Sequence, residues 1–268
     1  MVSPLRALTR IAAYITWTVL LLPVQFVAVK LGSGFAVRLP MFYHRVCTRI
    51  LGFELRVHGR VERQGPVLFV CNHTSYTDIA ILGSLLPASF VAKSEVSQWP
   101  LFGALAQLQR TVFVDRRGAR TARQRDEMVA RLEKGDNLVL FPEGTSSDGN
   151  AVLPFKSALF SVAQVRPNGK PLLVQPLSIA YTRLDGMPIG RALRPYFAWY
   201  GDMLLAPHFW DIAGLGNTTV DVICHPPVSL ESYESRKALA DHCFRVVARG
   251  VAMANAGRLD MPAIAASA

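Results

Sequence analysis

The sequence predicts an α/β protein: a mixed, largely parallel sheet flanked by helices, preceded by a helical segment that associates with a membrane. Three observations carry this. From residue 54 onward, short apolar runs of strand length alternate with helical stretches. Two of those runs, "VLFVC" (67–71) and "NLVLF" (137–141), are almost continuously apolar, the pattern of strands covered on both faces. Residues 11–29, "IAAYITWTVLLLPVQFVAV", hold no charge over a length just sufficient to span a bilayer.

The N-terminal run is flanked by Arg6 and Arg10 before it and by Lys30, Arg38, Arg45 and Arg49 after it. Positive charge on both sides sets no topology, and no small-residue cleavage site follows, as a signal peptide requires. Pro23 and Gln25 weaken a plain spanning helix. A second stretch, "FAVRLPMFYHRVCTRIL" (35–51), is aromatic and basic together. Residues 5–52 therefore read as two helices dipping into one leaflet or lying on its surface, with Lys and Arg on anionic headgroups; a single span is the alternative.

Beyond Gly52, "ELRVHGRV" (54–61) alternates as a strand does, and Gln64–Gly65–Pro66 is a turn. After the strand 67–71, a helix is expected over 77–86 and a strand over 89–93. A helix then begins at Pro100, and a strand occupies 111–115. Residues 119–134 set Met128, Val129 and Leu132 on one face, with Gly135 as the stop. Strands follow at 137–141, 171–181 and 218–228, and a closing helix at 231–256. Residues 182–217 show little period and read as irregular surface chain.

Composition narrows the partners. The net charge of +10 calls for an anionic surface or substrate. Nucleic-acid binding would explain only the charge, so nucleic acid is not expected. The four scattered cysteines, Cys47, Cys71, Cys224 and Cys243, read as reduced core thiols. No metal-ligand spacing is visible, and no G-x-S-x-G string supports a serine hydrolase.

Polar islands interrupt the apolar chain where strands end. In "NHTSYTD" (72–78), His73 sits at the end of a strand and Asp78 lies five residues on. On one helix these side chains would point about 140° apart. They meet only if His73 precedes the helix and Asp78 lies in its first turns, with Thr74, Ser75 and Thr77 suited to the turn and N-cap. The carboxylate would then orient the imidazole, whose other nitrogen serves as a general base. This spacing arises by chance in roughly one in four such chains, so its position at a strand end is what gives it weight. "VLFPEGTSSDG" (139–149) presents Glu143 on a tight loop, and "TVFVDRRG" (111–118) presents Arg116 and Arg117 after a strand. Lys93 and Lys156 are further cations at strand-to-loop positions.

Together these blocks resemble the glycerolipid acyltransferases typified by 1-acylglycerol-3-phosphate acyltransferase. "NHTSYTD" resembles the family's N-H-x4-D, "TVFVDR" its second block, "FPEGT" its third, and "LLVQPLSIAY" its fourth. Two positions depart: Arg110 stands where the family usually has Gly, and Ser146 where it commonly has Arg. The resemblance implies a glycerolipid-acyltransferase-like fold with N-terminal membrane-associated helices (1–52), an acyltransferase domain (53–258) and a tail (259–268). It implies His73 as base and Asp78 as its partner, with Arg116, Glu143, Gly144 and Thr145 binding substrate and Lys93 or Lys156 supplying the missing cation. No cofactor is expected, only an acyl-CoA or acyl carrier protein thioester as co-substrate. The implied acceptor is 1-acylglycerol-3-phosphate, giving phosphatidic acid, with lyso-ornithine lipid as the alternative. A non-enzymatic basic membrane-binding protein would explain the charge but not the His73–Asp78 pair. The implied location is the inner membrane, with the catalytic domain on the cytoplasmic side. Backbone N–H groups at the start of the helix after His73 are expected to hold the oxyanion.

Overall fold

The computed structural model describes residues 2–99, 102–114, 120–259 and 264–265. Two helices come first, α1 (Pro4–Lys30) and α2 (Phe35–Ile50). There follow β1 (Phe53–Gly59), β2 (Val67–Cys71), α3 (Thr77–Leu85), β3 (Ala88–Lys93), α4 (Phe102–Leu108), β4 (Val112–Val114), α5 (Arg120–Glu133) and β5 (Asn137–Leu140). The remainder is β6 (Leu173–Leu184), β7 (Met187–Pro188), α6 (Leu205–Gly214), β8 (Thr218–Cys224), β9 (Val228–Ser229), α7 (Arg236–Asn255) and β10 (Ile264–Ala265).

The sheet runs in the order β10-β1-β8-β6-β2-β5-β3-β4, with β7 and β9 paired to β6. Strands β6, β2, β5, β3 and β4 are mutually parallel. β8 turns antiparallel to β6, and β1 runs parallel to β8, so the sheet is mixed. The carboxyl ends of β2, β5, β3 and β4 thus share one edge.

All five residues of β2 are buried, because helices cover both faces. Val67, Phe69 and Cys71 pack with Ile81 and Leu82 of α3 and Ile212 and Ala213 of α6. Leu68 and Val70 point the other way, toward Met128 and Leu132 of α5 and Leu239, Cys243 and Val247 of α7. Truncating a residue such as Phe69, with no exposed surface, would cost about 3–5 kcal/mol.

The α1–α2 pair behaves differently. Leu5, Leu8, Ile15, Val19, Leu20 and Val27 of α1 remain exposed, while Ala7, Gln25 and Ala28 face protein. α1 is long and apolar enough to cross a membrane. It is also tied down along its length. Arg10 donates to Leu215 O at 2.8 Å, beyond the end of α6, and the Trp17 indole donates to Tyr43 O at 3.3 Å. Gln25 Nε2 donates to Ala36 O at 3.0 Å and to Leu108 O at 2.7 Å. Ala36 needs that donor: its helical partner would be the N–H of residue 40, which is Pro40.

Two expectations need correction. Residues 182–217 are not merely irregular surface: β6 continues to Leu184, α6 forms, and Phe197, Ala198, Ile212 and Ala213 are buried. Pro207 and the clustered aromatics obscured the helical period, and tertiary packing decides the outcome, with Phe209 edge-on to Tyr14 of α1 at 5.4 Å. The closing helix starts at Arg236 rather than 231, because Ser235 caps it, its hydroxyl accepting from Ala238 N at 3.2 Å. The helix start expected at Pro100 lies outside the described residues.

Candidate active site

β2 delivers the first polar island to the carboxyl edge. Asn72, just past the strand, continues the ladder with its side chain: Nδ2 donates to Ile179 O at 3.0 Å and Oδ1 accepts from Ile179 N at 2.9 Å. The chain then turns through His73–Tyr76 into α3, whose first turn carries Asp78. This is the geometry that lets residues five apart meet. His73 Nδ1 lies 2.9 Å from Asp78 Oδ2. The same oxygen accepts from Thr74 N at 2.7 Å and Ser75 N at 2.9 Å, and Oδ1 accepts from Tyr181 OH at 2.7 Å.

Those bonds bear on two local expectations. Asp78 holds the turn and the Ser75 hydroxyl accepts from Thr77 N at 3.5 Å, while the N-cap residue Tyr76 makes no side-chain cap bond and Thr77 Oγ1 meets Tyr181 OH at 2.6 Å. The amides of Thr74 and Ser75 are committed to Asp78, so they are not open to hold an oxyanion.

β5 delivers the second island. Glu143 is 2% exposed, and both its oxygens are taken by backbone: Oε1 accepts from His73 N and Oε2 from Leu153 N, each at 2.7 Å. It clamps the histidine's main chain. Ser147 N donates to His73 O at 2.8 Å from the other side. Phe141 stacks on the imidazole at 4.2 Å with 21° between planes. Gly144 permits the tight turn with φ +70°. Burial pushes the Glu143 carboxyl up to about 7, outweighing the two amides, which favour its charged form.

The imidazole is therefore fixed at one nitrogen, one face and its own backbone, while the side chain keeps 19% of its surface exposed; Asp78 keeps none. A carboxylate at Nδ1 selects the tautomer with Nδ1–H, leaving Nε2 as a proton acceptor. Cys71 is buried in the core and burial holds its thiol well above the ordinary range, so it does not supply a thiolate.

The expected cations are arranged less tightly. Lys93 ends β3 and is exposed. Lys156 is exposed beside the β5 loop, its amide donating to Pro142 O at 3.0 Å. Thr145 is exposed in the same loop. Arg116 lies outside the described residues. Arg110, the departure from glycine, has φ +61°, a conformation that glycine adopts freely. Its side chain donates to Asp136 at 2.8 Å, and its carbonyl accepts from Arg131 at 3.0 Å. Tyr181, Phe141 and Asn72 had no site role in the sequence reading; their roles depend on partners in other strands.

A strand-end histidine held by a carboxylate and backed by an F-P-E-G loop makes a site able to take a proton from a bound hydroxyl. The Acyltransferase family model matches residues 54–180. The lyso-ornithine lipid O-acyltransferase of Brucella abortus (strain 2308) is 46% identical over 90% of this chain and 91% of that protein. The enzyme so named from Rhizobium meliloti (strain 1021) is 42% identical, over 83% and 78%. The 1-acyl-sn-glycerol-3-phosphate acyltransferase of Neisseria gonorrhoeae is 35% identical over 71% of each chain. The crystal structure of the 1-acyl-sn-glycerophosphate acyltransferase of Thermotoga maritima superposes with a TM-score of 0.63 at 20% identity, covering 92% of this chain and 94% of that one. The chain belongs to the Acyltransferase family, among the acyltransferases of lysolipids.

Proposed function

We propose that this enzyme O-acylates lyso-ornithine lipid, with His73 as the general base. His73 Nε2 takes the proton of the acceptor hydroxyl as its oxygen attacks the thioester carbonyl of acyl-CoA or an acyl carrier protein. The new C–O ester bond forms, the C–S bond breaks, and the thiolate leaves with the proton that the imidazolium returns. Asp78 holds the tautomer and stabilises the imidazolium. Glu143, Gly144 and Thr145 shape the loop against which the acceptor lies, and Lys93, Lys156 and Arg116 supply positive charge around it.

The observation that carries the chemistry is the His73–Asp78 pair at 2.9 Å with a partly exposed ring. The acceptor reading is carried by Ser146, where the phosphate-acceptor pattern has Arg, and supported by the named relatives of highest identity above. An ornithine headgroup sets a cation beside an anion and needs less positive charge around it than a phosphate monoester. 1-Acylglycerol-3-phosphate is the second reading, supported by the Neisseria relative.

The α1–α2 pair would keep the site at the membrane surface, its exposed apolar face in one leaflet and its basic residues on headgroups, on the cytoplasmic side of the inner membrane. The ties from Arg10 and Gln25 to the rest of the molecule support a helix lying along the domain rather than one standing away from it.

The test is acylation of both acceptors in mixed micelles, with acyl-CoA and with acyl carrier protein donors, by wild type and Ser146→Arg. Wild type should favour lyso-ornithine lipid in kcat/KM. Ser146→Arg should move the ratio toward the phosphate acceptor by about 10-fold, the worth of one charge-assisted hydrogen bond. A wild type that prefers 1-acylglycerol-3-phosphate would overturn the acceptor assignment.

A further inference from the structure

We infer that Tyr181, through its hydroxyl, is a positioning residue for the reaction, setting the basicity of the Asp78–His73 pair. The inference rests on the reading of His73 as the base. Tyr181 OH donates to Asp78 Oδ1 at 2.7 Å, the oxygen that His73, Thr74 and Ser75 do not use. With its own O–H directed at the carboxylate, the phenol oxygen accepts from Thr77 Oγ1 at 2.6 Å. The result is an ordered line, Thr77 to Tyr181 to Asp78 to His73, buried except at its histidine end. Hydrogen bonds in such a line polarise one another in a low-dielectric interior.

The tyrosine reaches this spot by strand register. Asn72 bonds both backbone groups of Ile179, locking β6 against the end of β2, and Tyr181 is two residues on, on the same face. Immediately after it, the β6–β8 register shifts between Tyr181 and Arg183, an irregularity beside the site. The ring itself lies against Phe197 at 5.7 Å and edge-on to Phe53 at 6.2 Å. Phenylalanine would keep those contacts and remove the hydroxyl alone, the donor to Asp78 and the acceptor for Thr77.

That isolates the effect. Without the phenol, Asp78 keeps its charge on fewer donors and pulls harder on His73 Nδ1–H. The imidazolium then persists to higher pH, and less free base is present at a given pH. A residue that only packs the core would not move a pH profile.

The experiment uses purified full-length Tyr181→Phe, Thr77→Val and His73→Ala in mixed micelles, with lyso-ornithine lipid and with 1-acylglycerol-3-phosphate. Rates are read against pH and thermal melts alongside. For Tyr181→Phe, kcat on the acid limb should fall about 3-fold with KM within about two-fold, the consequence of a base that stays protonated to a pH about half a unit higher. The acid limb of kcat/KM should move up by about half a pH unit. Thr77→Val should move it the same way by less. A Tyr181→Phe enzyme with the wild-type limb, whether its rate is unchanged or reduced in step with a lower melting temperature, overturns the inference while an inactive His73→Ala leaves the base reading intact. Activity surviving in His73→Ala removes the base reading, and this inference with it.

Discussion

The described residues include two histidine–aspartate pairs at nearly the same distance, His73–Asp78 at 2.9 Å and His58–Asp221 at 2.7 Å. In each, the carboxylate has a hydroxyl partner as well: Tyr181 on Asp78, and Thr182 Oγ1 on Asp221 at 2.5 Å. They differ in where the chain puts them. His58 and Asp221 lie inside β1 and β8, on the face that also carries Ala180 and Ile223 beneath the end of α7. Their side chains are 5% and 9% exposed, against 19% for His73. The His58–Asp221 pair bridges strands; the His73–Asp78 pair stands in a turn past a strand end, with Phe141 and Glu143 holding the ring and backbone. A short His–Asp bond is therefore not by itself a mark of catalysis here. Position at the parallel carboxyl edge, with one ring nitrogen left for a substrate, separates the two.

If that distinction is right, damage to the two pairs has different consequences. His58→Ala should destabilise the protein by about 3–5 kcal/mol, the cost of leaving a buried charge without its partner, while kcat per folded molecule stays within about two-fold. Denaturant melts and active-site-normalised rates check this; a selective loss of kcat with wild-type stability would make the buried pair functional and erase the contrast.

A smaller effect sharpens the role of the clamp. The Glu143 carboxyl titrates at about 7 when folded against 4.5 as its ordinary value. Between those pH values the folded state holds a proton that the unfolded state has released, so this group's contribution to stability is full below 4.5 and declines as pH rises toward 7. The decline is about 3 kcal/mol at most. Glu143→Gln removes the titration, so the variant should gain on wild type as pH rises through that window, whatever its fixed penalty. Urea melts at several pH values measure it, and parallel curves would mean that the carboxyl titrates normally.

What the sequence disclosed follows the range of each interaction. His73 and Asp78 were legible because five residues and a strand end bring them together. The central strands were legible because burial on both faces leaves a continuous apolar run, as in Val67–Cys71. Glu143 could be located but its job could not, since one of its partners, the His73 amide, lies 70 residues away. Tyr181 is 103 residues from Asp78 and ends an apolar strand like many others. His58 and Asp221 are 163 apart and carry no shared motif. Arg110 read as a lost glycine, yet it keeps the left-handed backbone, with Asp136 and Arg131 bonded around it. α6 escaped notice because α1, far earlier in the chain, supplies the surface that makes it a helix.

The most direct test is the acyl-transfer rate of purified, folded His73→Ala with saturating lysolipid and thioester. The rate should fall by about 10²–10⁴-fold, the span of lost general-base catalysis, with the melting temperature near that of wild type. A variant that transfers acyl groups at the wild-type rate would contradict the role of His73 as the base.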